Sequence, residues 1–468
     1  MIQLNSETSV IHHGGKTTVT GSCHELRLTR GSILIDCGLF QGRDLARSNG
    51  LAIDFSIENI KALVLTHSHI DHIGRLPWLI AAGFDGPIYC SHATAALAPL
   101  MLADGLKLQT GLSKHQREQL LAFIKTRLVG CDYQQWIPIQ ISPEKSDGST
   151  LCQIRFQPAG HILGSAYIEC QLENNEVVVF SGDLGPSQTP LLPDPLPPER
   201  ADYLFIESTY SNRAHENIAM RKQRLGAICD HALNDGGVIV IPAFSVGRTQ
   251  ELLFDIEQLL HERQLSASLP IILDSPMASQ VTQTYREFKA LWGREAKTKL
   301  KQQRHPLAFD QCIQIEHHRD HLALVNRLAN SNESAIVIAA SGMCEGGRVV
   351  NYLKALLSDS RNDILFAGYQ ARGTLGDALQ RLNALRGDTA KHQTIPRGVE
   401  IDGKWYEVNA QIHTMSGYSA HADKHDLERF IDGITPPPKA IHLIHGEPDT
   451  QRAFAHRLKR KDVTNIIS

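Results

Sequence analysis

Short runs of aliphatic and β-branched residues recur along the chain, and each stops at a polar or glycine-containing turn. Residues 33–35 precede Asp36, 62–65 precede Thr66 and His67, 177–180 precede Ser181-Gly182-Asp183, and 204–206 precede Glu207. The pattern repeats at 238–241 before Pro242, 271–273 before Asp274, 336–339 before Ser341-Gly342, 364–366 before Gly368, and 441–444 before His445. Helical spacing follows most of these turns, as over 73–82. Runs that are apolar at successive positions predict strands buried on both faces and covered by helices, an α/β protein. In such sheets ligands gather beyond the carboxyl ends of the strands, and the acids and histidines stand there.

A chain of 468 residues is too long for one core. The prolines between 186 and 198 forbid helix or central strand and predict an extended surface loop, and Pro436-Pro437-Pro438 separates a helix from the last strand. From about 208 to 393 the strand–turn–helix units continue without further His/Asp clusters. We read them as a domain inserted into another that comprises 1–207 and a return segment, 394–468. The stretches 150–167 and 398–409 read as hairpin-rich returns to that first domain.

Bulk properties narrow this little. A hydrophobic fraction of 42% with 21% charged residues is that of a soluble enzyme, and a net charge of −3 excludes a global cationic field. A polyanionic partner would have to be met by local positive charge, in the cleft between the domains. Nine cysteines without CxxC spacing favour a reducing, cytoplasmic setting. The first residues lack the basic and apolar regions of a signal peptide, and no apolar run reaches membrane-spanning length, so no membrane partner is expected. No RNA-binding module is expected before Met1 or after Ser468. The 23 histidines are unusual, and their placement carries the chemistry.

His67, His69, Asp71 and His72 lie within six residues at a strand end. Alternation sends His67 and His69 the same way, and the turn brings Asp71 and His72 to a neighbouring position. Imidazoles and a carboxylate so arranged suit zinc. A surface histidine cluster is the plainer reading, but four ligand types at one strand end weigh against it. His161, Asp183 and His445 follow other strands, and Asp183 could bridge two ions. Singly, each could be a turn or capping residue; as a set they indicate a metal site. His12 and His13 read as strand or surface residues.

Asp36 with Cys37-Gly38, the His67–His72 run, His161, Asp183 and His445 resemble the five motifs of the metallo-β-lactamase superfamily. Glu207-Ser208-Thr209-Tyr210, the run from Pro242 to Arg248, the run from Ser341 to Arg348, and Tyr418-Ser419-Ala420-His421-Ala422-Asp423 resemble its β-CASP nucleases. Within that subgroup the chain is most similar to bacterial and archaeal relatives of the nuclease subunit that cleaves messenger-RNA precursors. The resemblance implies a metallo-β-lactamase αββα sandwich with an inserted Rossmann-like β-CASP domain. It implies two zinc ions, with manganese as a substitute: His67, His69 and His161 on one, Asp71, His72 and His445 on the other, Asp183 bridging. Asp36 would orient a ligand histidine. RNA would be hydrolysed by a metal-bridging hydroxide, Asp71 belonging to the catalytic set and His421, oriented by Glu207, acting as general acid. A homodimer is plausible on the same likeness.

The insert adds four turns rich in small residues or arginine, each leading into helical spacing. Ser245, Gly247 and Arg248 stand in the first and Ser275 in the second; Ser341, Gly342, Gly347 and Arg348 are in the third and Arg372 in the fourth. Helix N-termini, close glycine backbones and guanidinium forks suit phosphate, so these residues form the expected RNA track. Any one turn alone could be simply tight. A DNA nuclease is the competing enzyme; the DNA-acting branch usually carries an apolar residue in place of His445. A non-catalytic scaffold would have lost ligands, and a small-molecule hydrolase would lack the insert and the Glu207/His421 pair. The segment 106–138 departs most from the family pattern and is where substrate specificity is expected.

Overall fold

The computed structural model describes the chain except residues 48–49, 110, 142–149, 265–268, 369, 388–396, 461–465 and 468. It divides into two compact units, one formed by Met1–Ala214, Ala290–Trp292 and Ala420–Ser468, the other by His215–Lys289 and Gly293–Ser419. Among the described residues no helix is long and apolar enough to cross a membrane.

The first unit is a sandwich of two seven-stranded sheets. In one, Gly31–Ile35 pairs in parallel with Ile60–Val64, which pairs with Ile88–Ser91. In the other, Val177–Phe180, Tyr203–Glu207 and Ala440–Ile444 are parallel neighbours, with Glu207 in register with Ile444. Val10, Ile33, Ile35 and Val64 from the first sheet share a core with Phe156, Ile168, Phe180 and Phe205 from the second. On the outer face of one sheet Leu34, Leu63 and Leu65 pack with Leu76, Leu79, Leu102 and Ile124 of helices. On the other, Leu204, Ile206 and Leu443 pack with Leu427, Phe430 and Phe454. Successive strand residues therefore face the central core and a helix layer in turn, which is why the runs are apolar throughout. The layers are helix, sheet, sheet, helix.

The second unit is a six-stranded parallel sheet in the order Cys312–Gln314, Ile271–Asp274, Ala335–Ala339, Val238–Pro242, Asp363–Phe366, Gln411–Thr414. Its connections are helical, including Arg248–Arg263, Pro276–Glu287, His318–Ala329, Arg348–Leu356 and Leu375–Gly387, so the layer is Rossmann-like as expected.

Three expectations are corrected. The stretch 398–409 does not return to the first unit: Val399, Ile401 and Val408 are buried in the second unit's core, and Gln411–Thr414 adds that sheet's sixth strand. The crossing back comes after Ser419 rather than at 393. The helical spacing over 73–82 resolves into Ile70–Ile73 and Leu76–Ala81. Pro77, which has no N–H to donate, stands in the first turn of the second of these. Finally, the strand ending before His445 is followed by the short Ile466–Ile467.

Candidate metal centre

The strands Ile60–Val64, Val177–Phe180 and Ala440–Ile444 end shortly before His67, Asp183 and His445, and Tyr203–Glu207 ends on Glu207 itself. The turns beyond the strands, the short helix Ile70–Ile73 and the end of the Glu207 strand bring Asp71, His72, Asp183, Glu207 and His445 together. Asp183 is at the centre. Its Oδ2 lies 3.6 Å from His67 Nε2 and 3.5 Å from His161 Nε2. Its Oδ1 lies 3.3 Å from His72 Nε2 and 3.4 Å from His445 Nε2. One carboxylate thus divides two donor sets between its oxygens. His69 Nδ1 completes the first, 3.1 Å from His67 Nε2 and 3.0 Å from His161 Nε2. Asp71 Oδ2 completes the second, 3.8 Å from His72 Nε2 and 3.9 Å from His445 Nε2.

These donors fit a divalent cation. Four ligands about 2.0–2.1 Å from one zinc stand roughly 3.3 Å apart, close to the spacings of the first set. The buried His72 Nε2 and Asp183 Oδ1, though 3.3 Å apart, form no well-aimed hydrogen bond with each other or with any other group, a costly state for polar atoms in the interior unless they coordinate. Burial pushes the imidazolium forms of His67 and His161 far down and that of His69 to about 4. All three are then neutral, with lone pairs available, as coordination requires. His72 is opposite in sense. Burial would lower it, but Asp183 and Asp36 raise it well above the ordinary value.

Supporting groups fix these rings. His72 Nδ1 bonds Asp36 Oδ2 at 2.7 Å, which turns Nε2 toward Asp183. Asp36 is itself held by the Thr66 amide and hydroxyl, both at 2.8 Å, and by the Ser22 hydroxyl at 3.2 Å. Its φ of 61°, like the 47° of His445, lies in the left-handed region. That strain, of order 1–3 kcal/mol per residue, is borne to place both side chains. His161 Nδ1 donates to the Ala420 carbonyl at 2.8 Å, leaving Nε2 for the centre. Thr66, Ser22 and the Ala420 carbonyl were not foreseen; a main-chain oxygen leaves no trace in sequence.

Glu207 and His421 meet as expected, with Nδ1 3.2 and 3.3 Å from the two carboxylate oxygens. The fully buried Glu207 also accepts from the Leu184 amide at 2.8 Å. Burial draws the His421 imidazolium down, yet Glu207 and then Asp183 more than offset this, and its pKa rises to about 9. Asp183, Glu207 and His421 could alternatively form a third cation-binding group.

The expected phosphate-binding residues lie in the second unit, at the carboxyl ends of four adjacent strands. Ser245 and Ser275 hydroxyls are 3.3 Å apart, and Ser275 also caps Pro276–Glu287. Gly247 and Gly347 have φ of 81° and 75° where they start their helices. Arg248 lies against Gly368, Arg372 is exposed, and the buried Ser341 hydroxyl has no partner. Arg348 departs from expectation. Its Nη1 bonds Asp274 Oδ1 at 2.6 Å and the Ile315 carbonyl at 2.7 Å, while Nη2 bonds the Glu316 carbonyl at 2.7 Å. Its fork is spent on the fold rather than turned toward a phosphate.

Two donor sets sharing one carboxylate, at the strand ends of an αββα sandwich, define a metal-dependent hydrolase. Family models match in three stretches: the metallo-β-lactamase superfamily over 17–256, the β-CASP domain over 249–379, and a Zn-dependent metallo-hydrolase RNA specificity domain over 405–468. Ribonuclease TTHA0252 of Thermus thermophilus is 33% identical over 96% of this chain and 95% of its own length. The transcription termination factor FttA of Methanocaldococcus jannaschii is 30% identical over 96% of this chain and 68% of its own. An RNase J-like protein of the same archaeon is 29% identical over 95% and 93%. A crystal structure of a protein of unknown function from Enterococcus faecalis V583, 13% identical, matches the fold with a TM-score of 0.53 over 95% of this chain and 96% of that one. The chain belongs to the β-CASP family of metallo-β-lactamase hydrolases.

Proposed function

We propose that the protein is a ribonuclease that holds two zinc ions and hydrolyses RNA phosphodiester bonds. The observation that carries this reading is the division of donors about Asp183. Oδ2 with His67, His69 and His161 would hold one ion, and Oδ1 with Asp71, His72 and His445 the other. When bound, two such cations supply a water of lowered pKa and positive charge for the phosphate oxygens. RNA is favoured over DNA by His445 and by the ribonuclease relatives.

The chain's own residues then have distinct tasks. Asp36 and the Ala420 carbonyl keep the His72 and His161 rings turned inward with their Nδ1 protons occupied. Glu207 holds the Nδ1 proton of His421, so that Nε2 can give its proton to the departing 3′-oxygen. With a pKa of about 9, His421 is charged at neutral pH as that task requires, and nearby cations would draw the value down toward neutrality. In the second unit Ser245, Ser275, Ser341, Arg248 and Arg372 would line the phosphate track, without reading sequence. A reducing, cytoplasmic setting agrees with nine free cysteines.

The test is cleavage of labelled linear RNA, circular RNA and matched DNA by metal-loaded protein. RNA should be cut and DNA spared; cutting of the circle would establish internal cleavage. No cleavage of any substrate with two metals bound would refute the reading. His421→Ala should retain both metals while losing about 10²–10⁴ in rate, the usual worth of a general acid.

A further inference from the structure

Three large aromatic residues stand well exposed among the described residues: Phe123, Phe244 and Trp405. Phe123 lies under the Arg127 guanidinium, and Trp405 lies against Gly398 on a hairpin. Phe244 differs in position. It follows Val238–Pro242, at the carboxyl end of a parallel strand, where ligands of such sheets bind.

Its exposure is built in rather than frayed. The neighbouring Ala243 amide donates to the Ala339 carbonyl at 3.0 Å, and the Thr249 hydroxyl donates to the Phe244 carbonyl at 2.8 Å. The ring lies against Gly342, where an added Cβ would fall 2.9 Å from both the Phe244 amide nitrogen and ring Cδ2. Gln370 pins this turn by donating to the Gly342 carbonyl at 2.9 Å. One side of the ring is therefore backed by main chain, while 44% of the residue faces solvent. A free-standing phenylalanine forgoes the stabilisation of burial. Here it lies on the residue that follows Ser341, whose buried hydroxyl has no partner, and Arg372, which is exposed, follows the neighbouring parallel strand.

We propose that Phe244 is a stacking platform for an unpaired nucleobase of the substrate, next to the turns that take its phosphates. An apolar ring face at the same sheet edge as a partnerless hydroxyl and an exposed arginine complements a nucleotide, which presents a π-face and an anion together. Stacking accepts any base and requires a single strand, so the residue would select unpaired RNA over duplex without selecting sequence. The inference rests on the ribonuclease reading above.

The test compares wild type with Phe244→Ala, Phe244→Leu and Phe244→Trp on single-stranded oligoribonucleotides, with an abasic oligomer as control. Alanine and leucine should raise KM roughly 5- to 100-fold, the usual worth of one stacked base, with a smaller change in kcat. Tryptophan should restore KM and show fluorescence quenching by base-bearing RNA, beyond that of wild type, but not by the abasic oligomer. Leucine keeps the apolar bulk, so a leucine variant that binds like wild type would overturn the stacking role. So would equal loss of affinity for the abasic oligomer. If wild type cuts no RNA, the ribonuclease reading fails, and the quenching of Phe244→Trp alone decides whether a base stacks there.

Discussion

Replacing Glu251 by glutamine should make the second unit more resistant to alkaline pH, and the structure fixes both the sign and the ceiling. Glu251 lies in the first turn of Arg248–Arg263, beside Asp255 and Arg221. Arg221 pairs with Asp255 at 2.8 Å, Tyr418 donates to Asp255 at 3.0 Å, and the guanidinium sits 4.3 Å above the Tyr418 ring. Arg221 thus serves two acids and makes its ion pair with Asp255, while Arg248 adds a smaller attraction and Glu295 a smaller repulsion at Glu251. Burial, only partly offset by Arg221 and reinforced by Asp255, raises the Glu251 carboxyl from 4.5 to about 7. The helix N-terminus favours its charge by about 0.3–1 kcal/mol and does not win. A carboxyl raised in the folded state contributes stability that is complete below pH 4.5 and lost as pH climbs through 7. At ~1.4 kcal/mol per unit the ceiling is about 3 kcal/mol between pH 4.5 and 8, and residual solvent access to the side chain keeps the effect below it. Denaturant midpoints of wild type and Glu251→Gln across pH 5–8 are the measurement. Wild type should lose stability toward pH 8 relative to the variant. Parallel curves would refute the account, and a variant that falls more steeply than wild type would reverse its sign.

Arg348→Ala should cost about 1–3 kcal/mol, because it leaves Asp274 Oδ1 without its partner while His321 and Tyr352 still hold Oδ2, and RNA affinity of the folded fraction should stay near wild type; a large affinity loss with unchanged melting would restore Arg348 to the phosphate track. Asp36→Asn should weaken metal binding about 10–100-fold, and mainly at the Asp71/His72/His445 set, since its amide must oppose either the His72 or the Thr66 donor; chelator titration that resolves two affinities would show it. Stripping metal with a chelator should lower the melting temperature of the first unit with the logarithm of the free-ion concentration, the loss per site being about 2.7 kcal/mol from a hundredfold excess over Kd; an unchanged melt in calorimetry would mean that the donor sets bind no ion.

The donor cluster was legible because it uses rare residue types at positions that strand patterning already marks. Asp183 alone is an ordinary turn aspartate; it became a candidate because 177–180 is a buried strand and His67, His161 and His445 end others. The second unit was harder to read. Arg348 follows glycines at a helix start, which suggests phosphate, yet its partners Asp274, Ile315 and Glu316 lie far back in the chain, and no local pattern announces them. The boundary at 393 failed for a related reason. Nothing in residues 411–414 themselves names the sheet they join, and only their register with Asp363–Phe366 assigns them.

What sequence conveyed least was the apparatus that aims the histidines. Ser22, Thr66 and the Ala420 carbonyl are common groups, and each acts by filling one nitrogen or one carboxylate lone pair. The left-handed backbone at Asp36 and His445 is likewise invisible at residues that are not glycine. Those small constraints separate a histidine-rich strand end from a metal site. Each ring has two nitrogens, and only when the outer one is spent on Asp36 or on Ala420 does the inner one have a fixed direction. The same logic extends to His421, whose Nδ1 is taken by Glu207. In the proposed mechanism, ligand and general acid would thus be one kind of residue given different work by the partner on the far side of the ring.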